Sequence, residues 1–162
     1  MGSMQWHSAG PIQFESVSQV TATPSVDLGT RLWYQGEEYV YCYNSGGGQA
    51  SKGNGVKFIT GASGYSVAAT SLTDTFSPCV GVVKHSTMAT ADYGWVMVRG
   101  FASVVMVSAT TADYKMIALG VDGKFIEASG TTTMGTATVV GYVLGANTGA
   151  GGTAYAFIKT GV

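Results

Sequence analysis

Apolar residues recur with the two-residue period of strands along nearly the whole chain. The segments are Arg31 to Tyr34, Tyr39 to Tyr43, Val56 to Thr60, Tyr65 to Thr70, Val80 to Lys84 and Trp95 to Val98. They continue as Ala102 to Val107, Met116 to Leu119, Phe125 to Ala128, Val139 to Leu144 and Tyr155 to Lys159. No stretch reads better as a helix. Gly-rich punctuators separate the segments, notably Gln35-Gly36-Glu37, Asn44 to Gly55, Arg99-Gly100, Val121 to Lys124 and Asn147 to Gly152, and each can supply the positive φ of a tight turn. Short strands with frequent turns predict an all-β fold, a compact β-barrel or β-sandwich of antiparallel strands. The clearest hairpin runs from Met116 to Ala128, with Asp122-Gly123 where a type I′ turn belongs.

Three departures from simple alternation refine this picture. Trp95 to Val107 is apolar on both pleat faces, so both sides need cover from the core or from another subunit, and Trp95, Met97, Phe101, Val105 and Met106 are the expected subunit interface. Residues 1–28 mix isolated apolar anchors (Trp6, Ile12, Phe14, Val17 and Val20) with Pro11, Pro24 and small polar residues. They read as an extended N-terminal arm able to add to a neighbour's sheet edge, with a frayed tail or a first strand of the domain as the plainer alternative. Residues 29–162 then form a single β domain. Finally, Val80-Gly81-Val82-Val83 followed by Tyr93 to Gly100 is echoed about 60 residues later by Val140-Gly141-Tyr142-Val143 followed by Ala154 to Gly161. The echo suits two related hairpins closing one barrel.

Composition narrows the partners. Only 10% of the 162 residues are charged, where globular chains average roughly 25%, and the formal net charge is −1. No basic field is available to hold a phosphate backbone, so nucleic acid is not an expected partner. The longest apolar stretches, such as Phe101 to Val107, fall far short of the roughly 20 residues of a membrane helix, and no membrane association is expected. The first ten residues lack the cationic start and apolar stretch of a secretory signal, and Met1 to Ser3 has the look of an expression scar. Cys42 and Cys79 lie in apolar contexts and read as small buried thiols rather than a disulfide. A weakly charged surface rich in Gly, Thr, Ser and Asn suits assembly.

Catalytic chemistry finds little support. The histidines are His7, in the arm, and His85, in Lys84-His85-Ser86, a thin supply of bases for a Ser or Cys nucleophile. Gly61-Ala62-Ser63-Gly64 falls short of a nucleophile elbow, and Gly46 to Lys52 fails the phosphate-loop pattern. Asp74, Asp92, Asp113 and Asp122 are turn formers without calcium-loop spacing, and two Cys with two His have no zinc spacing. Glu15, Glu37, Glu38 and Glu127 could pair in space for glycoside chemistry, although Glu37 and Glu38 most simply form a polar hairpin tip. No catalytic residue, metal or cofactor is expected, and the chain reads as a non-enzyme.

The order of segments, an arm, then Leu28 to Asn44, then Gly64 to Val67, Val80 to His85 and Tyr93 to Gly100, resembles small structural proteins of tailed bacteriophages, in particular capsid decoration or cement proteins. The resemblance implies a virion protein made in the bacterial cytoplasm, carried on the capsid exterior as a homotrimer, and binding the major capsid protein to stabilise the head lattice. It fixes no contact residues. A virion-borne adhesion or carbohydrate-binding module, with Trp33, Tyr34, Tyr41, Tyr43 and Tyr93 as stacking rings, is the alternative.

Overall fold

A computed structural model describes residues 16–46, 48–59, 64–69, 79–108, 114–128, 139–145 and 152–161. Eleven strands run through them: β1 (Val20–Thr21), β2 (Arg31–Tyr34), β3 (Glu37–Asn44), β4 (Gly55–Phe58), β5 (Ser66–Ala69) and β6 (Cys79–Val82) precede β7 (Tyr93–Val105). After it come β8 (Met116–Leu119), β9 (Phe125–Glu127), β10 (Val139–Val143) and β11 (Thr153–Lys159). The all-β expectation holds, and the architecture is a closed five-stranded barrel with further strands attached. The two segments expected at Trp95 to Val98 and Ala102 to Val107 are one 13-residue strand, β7, because Gly100 at φ 138° carries the chain on without a turn. At the two tight hairpins, Gln35 and Gly36 (φ 52° and 80°) and Asp122 and Gly123 (φ 53° and 71°) both take the paired positive φ of type I′ turns.

Pairing closes the first ring as β3–β5–β4–β6–β7–β3, with β3–β5 parallel and the other contacts antiparallel. Alternation then decides which side chains go inside. Val40 and Cys42 of β3, Val56, Val67, Val80, and Val96 and Val98 of β7 fill this ring. The β-branched residues suit a small, steeply curved interior.

The second half of β7 starts the same circuit again. It pairs antiparallel with β11, β11 with β10, β10 with β8 and β8 with β9, and a parallel bridge from Met106 to Phe125 returns to the end of β7. Ala102, Val104, Met106, Ile117, Phe125, Val140, Ala156 and Ile158 are buried together here. The echo heard in the sequence is thus real at the level of register. Val82 pairs with Met97 as Tyr142 pairs with Phe157, and Val56 pairs with Gly81 as Ile117 pairs with Gly141. Even the bulge recurs, since Val80 and Val140 are the extra residues passed over between Cys79 and Gly81 and between Val139 and Gly141. The two hairpins were expected to close one barrel; instead each belongs to its own ring, and β7 is long enough to serve both.

Candidate functional site

The open face of the second ring carries the most distinctive surface. Phe101 of β7, Phe157 of β11, Tyr142 of β10 and Met116 of β8 are successive register partners, so their side chains form one row across four strands. Phe101 packs edge-on against Phe157 at 5.1 Å and stacks on Tyr155 at 5.8 Å, while Tyr142 meets Phe157 at 5.5 Å. Such ring contacts hold the row rigid. It is nevertheless open: Phe101 is 41% exposed, Tyr142 38%, Met116 42% and Tyr155 52%. With about 200 Å² for a fully open side chain of this size, these four leave roughly 350 Å² of apolar surface uncovered, the scale of a functional patch. Exposed Arg99 and Lys159, register partners on β7 and β11, border one end of the row. Only Phe101 in this row stood out in the sequence, although the spacing of Tyr155 and Phe157 in β11 already put both rings on one face.

The other residues expected at a subunit interface lie elsewhere. Trp95 and Met97 are buried within the chain beside Tyr39 and Tyr41, and Met106 is fully buried in the second ring. Val105 sits half-buried against Gly53, to whose carbonyl its own N–H donates. Of these five residues only Phe101 is exposed, because the chain itself covers the other four.

That cover comes from residues 16–34. Val17 is part of the same core cluster as Tyr41 and Trp95, and Val26, Leu28 and Leu32 pack against it. Val20 pairs with Gly94 at the start of β7, and the Tyr41 hydroxyl accepts from the Ser25 N–H at 3.2 Å and from its hydroxyl at 3.1 Å. Val17 and Val20, named as arm anchors, pack against the domain of their own chain. Trp6, Ile12 and Phe14 lie outside the described residues. A shallow groove of about 450 Å³ follows this segment along Pro24 to Leu28 and Tyr93.

The five rings considered for sugar stacking do not form one open platform. Tyr41 is buried, and Tyr93 is stacked between Tyr41 and Tyr43 at 6.3 and 4.7 Å. Trp33 and Tyr34 are exposed on β2, with the Arg99 guanidinium 5.7 Å above the Trp33 ring.

The chemistry-bearing groups near the β2–β3 hairpin occupy one another. Both Glu37 oxygens accept from the Lys84 ammonium, and the Tyr39 hydroxyl donates to Glu37 Oε2 at 2.5 Å. With its one proton so committed, the Tyr39 oxygen accepts from His85 Nε2 at 2.8 Å, which fixes the imidazole as the Nε2–H tautomer. Burial would raise the Glu37 carboxyl, but hydrogen bonds from Lys84 and Tyr39 and the Lys84 charge together hold it below its ordinary range. Burial and the neighbouring Lys84 charge lower His85. Glu37 is thus an ion-pair partner rather than an open hairpin tip, while Glu38 pairs with Arg31. Cys42 and Cys79 are free and buried, as the sequence suggested, in separate clusters. Among the described residues no group of three or more His, Cys, Asp or Glu could hold a metal ion, and no helix is long and apolar enough to cross a membrane.

No protein-family model matches the sequence, and no curated protein does either. Among solved structures, the chain is similar to the N base of head fiber gp8.5 of bacteriophage phi29, with a TM-score of 0.52 and 14% identity over 75% of this chain and 94% of that one. At that identity the likeness is one of fold.

Proposed function

We propose that this chain is a structural protein of a tailed-phage virion, carried on the outside of the head, where it binds the major capsid protein and stabilises the capsid lattice. The observation that carries this reading is the shared fold with the base of a phage head fibre, which covers nearly all of that base. The surface agrees with it. A patch of interlocked rings and a net charge of −1 suit a protein that docks and stays docked. The groups that could do chemistry at the β2–β3 hairpin are already hydrogen-bonded or ion-paired to one another. The mechanism is linkage without turnover: a subunit that binds only the mature lattice adds its binding free energy to the stability of the shell, repeated over many equivalent sites.

Binding to purified mature heads of the phage that encodes the chain tests this. Co-sedimentation with heads, and a rise in the temperature at which they open, is the expected result. Binding without that rise would reduce the role to that of a fibre base, and finding the protein only with tails, or with no particle, would remove it from the head.

A further inference from the structure

Three cations of this chain are ion-paired within it: Arg31 with Glu38, Lys84 with Glu37 and Lys115 with Glu127. Arg99 and Lys159 are not. Among the described residues neither forms an ion pair, although they lie directly opposite one another on β7 and β11. Like charges in that position repel and cost stability. Glu38 faces Arg99 from β3, on the other side, but its carboxylate is held by Arg31. The Arg99 guanidinium lies instead over the Trp33 ring. Alternation sets these cations on the same face as the open rings: Arg99 and Phe101 follow one another on β7, and Tyr155, Phe157 and Lys159 on β11, with Gly100, Ala156 and Ile158 buried between them. Trp33, 59% exposed, extends the face beyond Arg99. A single surface thus runs from an open ring, through a cation pair without a counter-charge, into the row Phe101–Phe157–Tyr142–Met116.

We propose, resting on the capsid-binding reading, that this surface docks an acidic segment of the major capsid protein, one that sets an Asp or Glu carboxylate between Arg99 and Lys159 and lays apolar side chains on the row. Charge complementarity selects this partner. A carboxylate between the two cations replaces their mutual repulsion with charge-assisted hydrogen bonds, and apolar cover on the row beside it keeps water from the contact. The side chains suit a protein partner, since Trp, Tyr and Arg are the residues on which protein interfaces concentrate binding energy, and Trp33, Arg99, Tyr142 and Tyr155 are all open here. A second copy meeting this surface with its own is the poorer match, because it would bring two such cation pairs together.

Co-sedimentation of the full chain with purified mature heads of the encoding phage, over a range of salt concentrations, tests it. Arg99→Glu with Lys159→Glu is expected to weaken binding at least tenfold at low salt and to abolish the decline that added salt causes in the wild type. Tyr142→Ser with Tyr155→Ser is expected to weaken binding at least tenfold at every salt concentration, while Lys124→Glu, a cation at the far end of β8 from Met116, leaves it unchanged. Double variants that bind heads as tightly as the wild type overturn the proposal and leave capsid binding standing; a wild type that does not bind heads removes both. Double variants that bind heads normally but lose self-association in light scattering give the surface to a second copy and overturn the proposal as well. Should a double variant misfold, nitration of the wild type decides: Tyr142 and Tyr155 become protected on heads while Tyr34 does not, and equal modification of all three overturns the proposal.

Discussion

Replacing Gly141 by Ala tests the account of the repeated bulge, because the structure sets both the obstacle and its size. A Cβ on Gly141 would lie 2.0 Å from the Phe157 carbonyl oxygen, and one on Gly81 would lie 2.3 Å from that of Met97. Ordinary contact begins at 3.4 Å, so β10 would have to part from β11 by roughly 1.4 Å, and the obstructing atom is backbone that cannot rotate aside. Overpacking of this kind costs about 1–3 kcal/mol. Parting the strands also weakens one or two ladder hydrogen bonds at about 1 kcal/mol each. Against that stands a gain of about 0.5–1 kcal/mol from the stiffer unfolded chain. The net loss is about 2–3 kcal/mol, which for a chain of this length lowers Tm by about 5–10 °C. Gly81→Ala is expected to behave alike, since its site is built the same way. Gly145, with nothing within 4 Å of an added Cβ, serves as the control and is expected to shift by no more than about 0.5 kcal/mol. Melting curves followed by circular dichroism read the difference. If both bulge variants melt within a degree of Gly145→Ala, the close strand approach is not what glycine is there for, and the equivalence of the two bulges loses its physical basis.

Three further outcomes follow from the polar and sulfur groups. Because folding holds His85 below its ordinary 6.5 and Glu37 below its ordinary 4.5, the unfolded chain takes up these protons first; stability is full above both ordinary values and falls on acidification, first below about pH 6.5 and again below about pH 4.5. A titration of Tm should show both steps, and His85→Gln should remove the upper one. Tyr41→Phe leaves the Ser25 N–H and hydroxyl without their acceptor and is expected to cost about 1–2 kcal/mol in denaturant melts, with the β sheet intact by circular dichroism. Burial pushes the Cys79 thiol up to about 12 and Cys42 higher still, so a thiol reagent at pH 8 should label neither in the native protein and both after denaturation.

Much of this fold was legible because its strands are short and cleanly punctuated. Arg31 to Tyr34 and Met116 to Leu119 fall where alternation predicts them, and Asp122-Gly123 turns as its residue types demand. The closure of two rings was not legible, because it rests on the parallel contacts of Asn44 with Val67 and of Met106 with Phe125, which no hairpin or turn signal in the sequence announces. The site was half legible for a related reason. Trp95 and Phe101 look alike as large apolar residues on one face of a two-faced stretch, yet one is buried and the other open. What separates them is the path of residues 16–34, whose Pro, Ser and Thr show no strand period although Val17 is buried in the core cluster and Leu28 packs against it. The sequence echo at Gly81 and Gly141 pointed to the right answer, but its physical content, a Cβ that would strike a carbonyl, is visible only in three dimensions.

A single 13-residue strand common to both rings also governs how the molecule answers to force. Tension applied along β7 meets antiparallel neighbours on either side, β3 at one end and β11 at the other, and loads their ladders in shear, with many hydrogen bonds resisting together. A pull across the strands would instead open bonds one at a time, as a zipper does. The two rings are thereby coupled into one mechanical element with a stiff direction and a soft one, so the angle at which this protein is held on its support determines how much strain it can bear.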